Sequence, residues 1–334
     1  MSGSKQLLHI AILWIFTAIW VLFGPQPASI WASGNSNADR VVKYTDKFYD
    51  VSVVGENHVW VVGYFGAVLH SEDGGKTWAR KSPGTTNAIL GIDFVSEDQG
   101  WVVGEAGTIF HTTDGGATWQ QQESPVPEER FLRVQFVNPE QGWIVGTYGV
   151  ILHTADSGKT WKRQAFEEDI VLNDLCFVNA SEGWVTGEFG TILHTVDGGK
   201  SWEPQASNEM EKFFGIDFKD ADNGIVVGTQ GAIYYTNDGG ATWHPAERPA
   251  QDTLLKVRNI SGNRAVAVGL RGCISMTEDG GVNWTALSLP HLYTWLSGIA
   301  FTPGGNGYLV GDRGKIIITK DNGRKWMSYT EMSK

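Results

Sequence analysis

One tryptophan returns seven times at a nearly constant interval: Trp78, Trp119, Trp161, Trp202, Trp243, Trp284 and Trp326 stand 41 or 42 residues apart. Five residues before each is an aspartate, from Asp73 to Asp321, and three before each a glycine, from Gly75 to Gly323. Seven before each is Ser71 or a threonine, from Thr112 to Thr319. Two more glycines recur fifteen and twelve positions ahead, as in Gly104-Glu105-Ala106-Gly107. The last thirty residues of every unit therefore align without a gap, and length varies only in the segment after each Trp. A period of this size means an array in which each unit needs its neighbours to cover its faces.

Within a unit, short apolar alternations lie between Gly- and Asp-rich turns, which predicts four strands. In the second unit they are Leu90–Val95, Gly100–Gly104, Gly107–Thr112 and Ala117–Gln121. Helical repeats would not tolerate 42 glycines. The expectation is an all-β chain, a seven-bladed β-propeller of four-stranded antiparallel blades over residues 41–331. Its first strand is expected at Phe48–Val54 and its last at Lys325–Thr330, with Val41–Tyr44 as an added strand at the seam. Phe94, Phe136, Phe177, Phe218 and Phe301, on first strands, are expected to face neighbouring blades.

The Ser/Thr-x-Asp-x-Gly-x-Thr-Trp signature resembles the Asp box of bacterial neuraminidase repeats. Its physical role is local: the carboxylate accepts backbone N–H groups in the turn, and the Trp packs on the sheet. The seven aspartates are thus read as turn locks, not acid–base catalysts. His70, His111, His153 and His194 share one place in four consecutive units. A ring holds them a blade apart, beyond the ~2 Å reach of a metal, so they are read as packing residues. Cys176 and Cys273 lie two blades apart, too far for a disulfide, and are expected to be free and buried. No metal site and no cofactor are expected.

The amino terminus is a separate piece. Lys5 precedes an apolar run from Leu7 to Phe23, followed by Gly24-Pro25-Gln26-Pro27 and small residues up to Ala32. Residues 1–32 read as a signal peptide cleaved after Ala32, or as a retained signal anchor, and residues 33–40 as a linker. Either way the remainder is expected outside the cytoplasm, in periplasm, thylakoid lumen or secreted, with membrane association through residues 7–23 if they are kept. A net charge of −11 argues against nucleic acid as a partner.

Units such as Gly100-Trp101-Val102-Val103-Gly104-Glu105-Ala106-Gly107-Thr108-Ile109-Phe110-His111-Thr112-Thr113-Asp114-Gly115-Gly116 cover nearly the whole chain after residue 40. On them the chain resembles the photosystem II assembly and stability factor family. That resemblance implies a non-catalytic, exported propeller that binds newly made reaction-centre subunits, so its partner would be a client protein or peptide segment of a membrane complex. Two features common in cyanobacterial members are missing, a lipid-anchor cysteine and an arginine-rich stripe; this chain has 11 Arg. A general peptide- or glycan-binding receptor is the alternative. A sialidase-like glycosidase would need an arginine triad with a Tyr/Glu pair. Only Arg40-Val41-Val42 stands where the first arginine belongs, and the next, Arg80, follows Trp78. No catalytic residue is therefore assigned.

Strands two and four of a blade run the same way, so the turn after strand two and the variable connection after strand four emerge on one face. Variable loops on a rigid scaffold mark a binding surface. The residues between the two recurrent glycines, with aromatics near the starts of first strands, supply the expected contact set: Tyr64, Phe65, Tyr148, Phe189, Arg271, Arg313 and Trp295. Phe214 and Tyr293 lie around them. Phe131 and Phe213 stand where other units carry Ile89 or Leu172, and read as packing.

Overall fold

Short apolar segments separated by tight turns fold back on themselves, and in all seven units four consecutive strands pair antiparallel into their own sheet. The computed structural model describes residues 41–329 apart from residues 167, 206–210, 288, 290 and 291. The expectations for residues 1–32, 33–40 and Thr330 lie outside these. The first strands are Phe48–Val54, Ile89–Phe94, Phe131–Phe136, Leu172–Phe177, Phe213–Phe218, Leu254–Asn259 and Leu296–Phe301. The fold is a seven-bladed propeller with first strands around the axis.

The outermost strands are shorter than the sequence suggested. In the second blade the fourth strand is only Gln120–Gln121, because the residues before it are held in the Asp-box turn. There Ala117 N–H donates to the Asp114 carbonyl, and Thr118 N–H and hydroxyl donate to the Asp114 carboxylate at 2.8 and 2.6 Å. The Thr112 hydroxyl donates to the same carboxylate and accepts from Gly116 N–H, both within 2.9 Å. This bonding holds Asp114 below the usual carboxylate range. In the fourth and fifth blades it brings Asp197 and Asp238 down to about 2.

Blades are joined by aromatic piles. Trp101, on a second strand, is sandwiched between His111 of its own blade (4.5 Å between ring centroids) and Phe136 of the next (3.5 Å), both nearly parallel. The Asp-box residue Trp161 then meets Phe136 edge-on at 5.9 Å. The pile recurs as His70–Trp60–Phe94–Trp119, His153–Trp143–Phe177–Trp202 and His194–Trp184–Phe218–Trp243. The shared histidine place is thus a stacking layer, with burial pushing His70 down to about 4. Cys176 is buried while Cys273 is only half-buried, and both are free.

Val41–Tyr44 do not form the added strand. Asp46 N–H donates to the Lys43 carbonyl, making a turn that occupies the place other blades give to their connection. Gly314 of the last blade donates to Asp46, and Arg80 binds the Val41 carbonyl and, at 2.6 Å, Asp46. The ring closes blade against blade, with the Ser297 hydroxyl on the carbonyls of Phe48 and Tyr49.

The axis is plugged at mid-height. Side chains from four first strands form a buried chain, in which Arg133 pairs with Asp50 and, at 3.5 Å, with Asp174, and Lys256 pairs with Asp174 at 2.7 Å. Burial lowers the Lys256 ammonium. For Arg133 burial is outweighed by Asp50 and Asp174, and its pKa rises. Buried charges persist only when paired in this way. The plug separates a cavity of about 200 Å³ at one mouth from one of about 450 Å³ at the other.

Candidate functional site

Each blade reverses between strands two and three through a two-residue turn. In the first blade Ala67 N–H donates to the Tyr64 carbonyl, and Phe65 and Gly66 between them have φ of 58° and 65°. Two consecutive positive φ values define the type I′ turn, whose twist suits a hairpin. The second position is always glycine, and at Gly66 a Cβ would also strike the Thr85 carbonyl of the following connection. The first position is never glycine: Phe65, Ala106, Tyr148, Phe189, Gln230, Arg271 and Arg313 all sit between φ 51° and 58°. Left-handed backbone costs an L-residue about 1 kcal/mol. The ring bears that cost at seven equivalent tips.

The tips are exposed. Phe65 is 64%, Tyr148 59% and Phe189 61% accessible, with Tyr64 beside Phe65 at a ring distance of 6.2 Å. The Arg271 side chain is open to solvent with its guanidinium 2.7 Å from Asp252, and Arg313 lies 3.8 Å from Asp312. Cations dress the aromatic tips: Lys47 over Tyr64, Lys212 over Phe189 and Arg313 over Tyr44, at 5.6, 5.9 and 5.8 Å. Lys212 also binds Glu188 at 2.8 Å and lowers its pKa.

Trp295 differs from the other six expected residues. It is half-buried, stacked parallel on Tyr49 at 5.6 Å, and belongs to the inner rim rather than the tips. Phe131 and Phe213 are fully buried, as their places in the repeat suggested. Inside the rim, Tyr49, Leu90, Leu132, Asn173, Phe214, Leu255 and Ser297 occupy the same first-strand position in the seven blades and line the 200 Å³ vestibule. The face therefore has a shallow, mostly apolar centre and a ring of aromatic and basic tips.

The exposed Tyr44, 65% accessible, was not foreseen because it precedes the first repeat. Tyr49 and Leu270 also join the face; the residue pair containing Leu270 signalled it, while Tyr49 carries a signal only once first-strand positions are aligned across blades.

Among the described residues no group of three or more His, Cys, Asp and Glu could hold a metal ion, and no helix is long and apolar enough to cross a membrane. The Asp-box carboxylates all lie on the opposite face, each engaged by its own turn, so no pair of them forms an acid–base couple on the tip face.

Several solved structures share the architecture. YCF48 bound to a D1 peptide superposes with a TM-score of 0.70 at 22% identity, over 82% of this chain and 91% of that one. YCF48 from Cyanidioschyzon merolae gives 0.69 at 20% identity, over 82% and 95%. A virginiamycin B lyase from Staphylococcus aureus gives 0.71 at 14% identity, over 82% and 94%, so the shape alone does not distinguish binder from enzyme. No curated protein sequence matches the chain. The family model for the photosynthesis system II assembly factor YCF48 matches residues 82–170 and 206–295. These segments make up more than half of the sequence, and the chain belongs to that family.

Proposed function

We propose that this chain is a non-catalytic client-binding propeller that captures a peptide segment of a photosystem II subunit on its tip face, through Tyr64, Phe65, Tyr148, Phe189, Arg271, Arg313 and Trp295. The observation that carries the reading is the left-handed backbone at Phe65, Tyr148, Phe189, Arg271 and Arg313. Glycine would serve the turn better, so large side chains there answer a demand other than folding. Exposed aromatic and arginine anchors are the residue types that dominate binding energy at interfaces. Family membership and the D1 peptide held by a YCF48 structure support a peptide of that kind as client.

The reading includes no turnover, because the arginine triad of sialidases has no counterpart in the sequence. It places the propeller outside the cytoplasm, supported by the Leu7–Phe23 run; fractionation of the host cell tests this, and a purely cytosolic protein with its first residues intact would overturn it. The central test is the triple variant Phe65→Ala, Tyr148→Ala, Phe189→Ala, titrated against a D1 peptide. Binding should weaken by about 100-fold or more, the equivalent of roughly 3 kcal/mol, with the thermal melt undiminished. Unchanged affinity would sink the assignment of this face.

A further inference from the structure

Around the axis, the blades are stitched by a repeated hydrogen bond that breaks at one place. Ser52, Asp93, Gln135, Cys176 and Asp217 share one first-strand position, and each accepts the N–H of the equivalent residue one step further on in the next blade. The donors are Phe94, Phe136, Phe177, Phe218 and Asn259, at 2.7 to 3.3 Å. The next two members of the series are Arg258 and Ala300. A guanidinium has no acceptor and a methyl group has no polar atom. By the register they share with Phe94, the N–H groups of Phe301 and Val53 point the same way, and the residue that faces each of them in the neighbouring blade, Arg258 or Ala300, offers no acceptor.

The 450 Å³ cavity lies at this break, lined by Val53, Arg258, Ala300 and Phe301 as well as Arg133. Arg133 is more than nine-tenths buried and its Nε has no hydrogen-bond partner, only the Asp174 carboxylate at 3.5 Å. Arg258 spends Nη1 on Asp217 at 2.5 Å, and its side chain lines the cavity. Two backbone N–H positions without their usual side-chain acceptor and two guanidinium groups thus line one space large enough for a small organic molecule. Of the carboxylates nearby, Asp217 is taken up by Arg258 and Asn259, and Asp93, which lines the cavity, already accepts from Phe136. Its pKa is raised to about 6 by burial, which keeps its repulsion of an anion small in mildly acid solution.

We propose that this mouth of the channel, opposite the tip face, is a binding site for a carboxylate group, held by Arg258, Arg133 and the N–H groups of Val53 and Phe301. The carboxylate takes the place of the acceptor that five other blades supply from their own side chains. A free organic acid and the carboxy terminus of a peptide present the same chemistry.

The test is titration calorimetry at pH 6 with four probes: succinate, succinamide, triglycine and triglycine amide. Succinate or triglycine should bind saturably while both amides do not, and whichever acid binds more tightly identifies the source. Ala300→Asp restores the missing acceptor on the pattern of Asp93 and Asp217. It should abolish binding while leaving the melt equal or higher. Arg258→Gln should weaken binding by about tenfold, the value of one charge-assisted hydrogen bond. Failure of both acids to bind the wild-type chain, or undiminished binding by Ala300→Asp, would overturn the proposal. Neither result bears on the tip face.

Discussion

Trp101 lies flat on Phe136 of the following blade, with ring centroids 3.5 Å apart and planes within 10°. The two residues belong to different hydrogen-bonded sheets, so their contact belongs to the interface between blades. Each is almost wholly buried. Trp101→Ala and Phe136→Ala should each cost about 3–5 kcal/mol. The double variant should cost less than the sum by about 1 kcal/mol, the coupling of a stacked pair. Urea denaturation of the four proteins checks this, and strict additivity would mean that blades are held by area alone.

The tips make a different prediction, since they trade stability for surface. Phe65→Gly and Phe189→Gly remove a side chain that touches little and relieve a backbone at φ 58° and 55°. Each should raise stability by up to about 1 kcal/mol and weaken client binding. A loss of stability on glycine substitution would show that these rings are braced by contacts with Tyr64 or Lys212.

What the sequence disclosed follows from which contacts are periodic. The first-strand Phe, the histidine place and the Asp box repeat with the chain, so Phe136, His111 and Asp114 are assigned from spacing alone, and the turn glycines mark the tips; the second-strand Trp101 is not, since Ile225, Val266 and Tyr308 replace it in the last three blades. Non-periodic features stayed hidden. Asp50, Arg133, Asp174 and Lys256 come from four blades at one first-strand position that elsewhere holds Gly91, Gly215 and Gly298, so no motif announces the axial plug. The seam was misread because Val41–Tyr44 look like a strand by composition, whereas the ring needed a connection between the last blade and the first. Trp295 is legible as an aromatic near the start of a first strand, but its stacking partner Tyr49 lies at the other end of the chain's repeat series and no spacing joins the two.

Protonation provides the last prediction. Burial lowers His70 to about 4 from 6.5, and lowers His111 and His153 as well. Between the folded and unfolded values the unfolded chain binds more protons, so their contribution to stability is complete above about pH 6.5 and is lost as pH falls toward 4. Asp93 acts in the opposite sense. Its folded pKa of about 6 lies above the usual 3.8, so the folded chain binds the extra proton and gains stability as pH falls from 6 toward 3.8. Burial is the main cause, opposed by the Phe136 N–H and by Arg133 and Arg258, with Asp50 adding to the rise. Asp93→Asn keeps an oxygen for Phe136 and removes the charge. It should melt about 2–4 °C higher than wild type at pH 8, roughly 1 kcal/mol for a domain of this size, because Asp93 borders an open cavity and so keeps part of its solvation. The difference should shrink steadily below pH 6 and vanish near pH 4, where the wild-type carboxyl is itself neutral. Calorimetric melts of the two proteins at pH 8, 6 and 4.5 check this; a gap that stays constant with pH would mean that shape, rather than charge, sets the behaviour of this site.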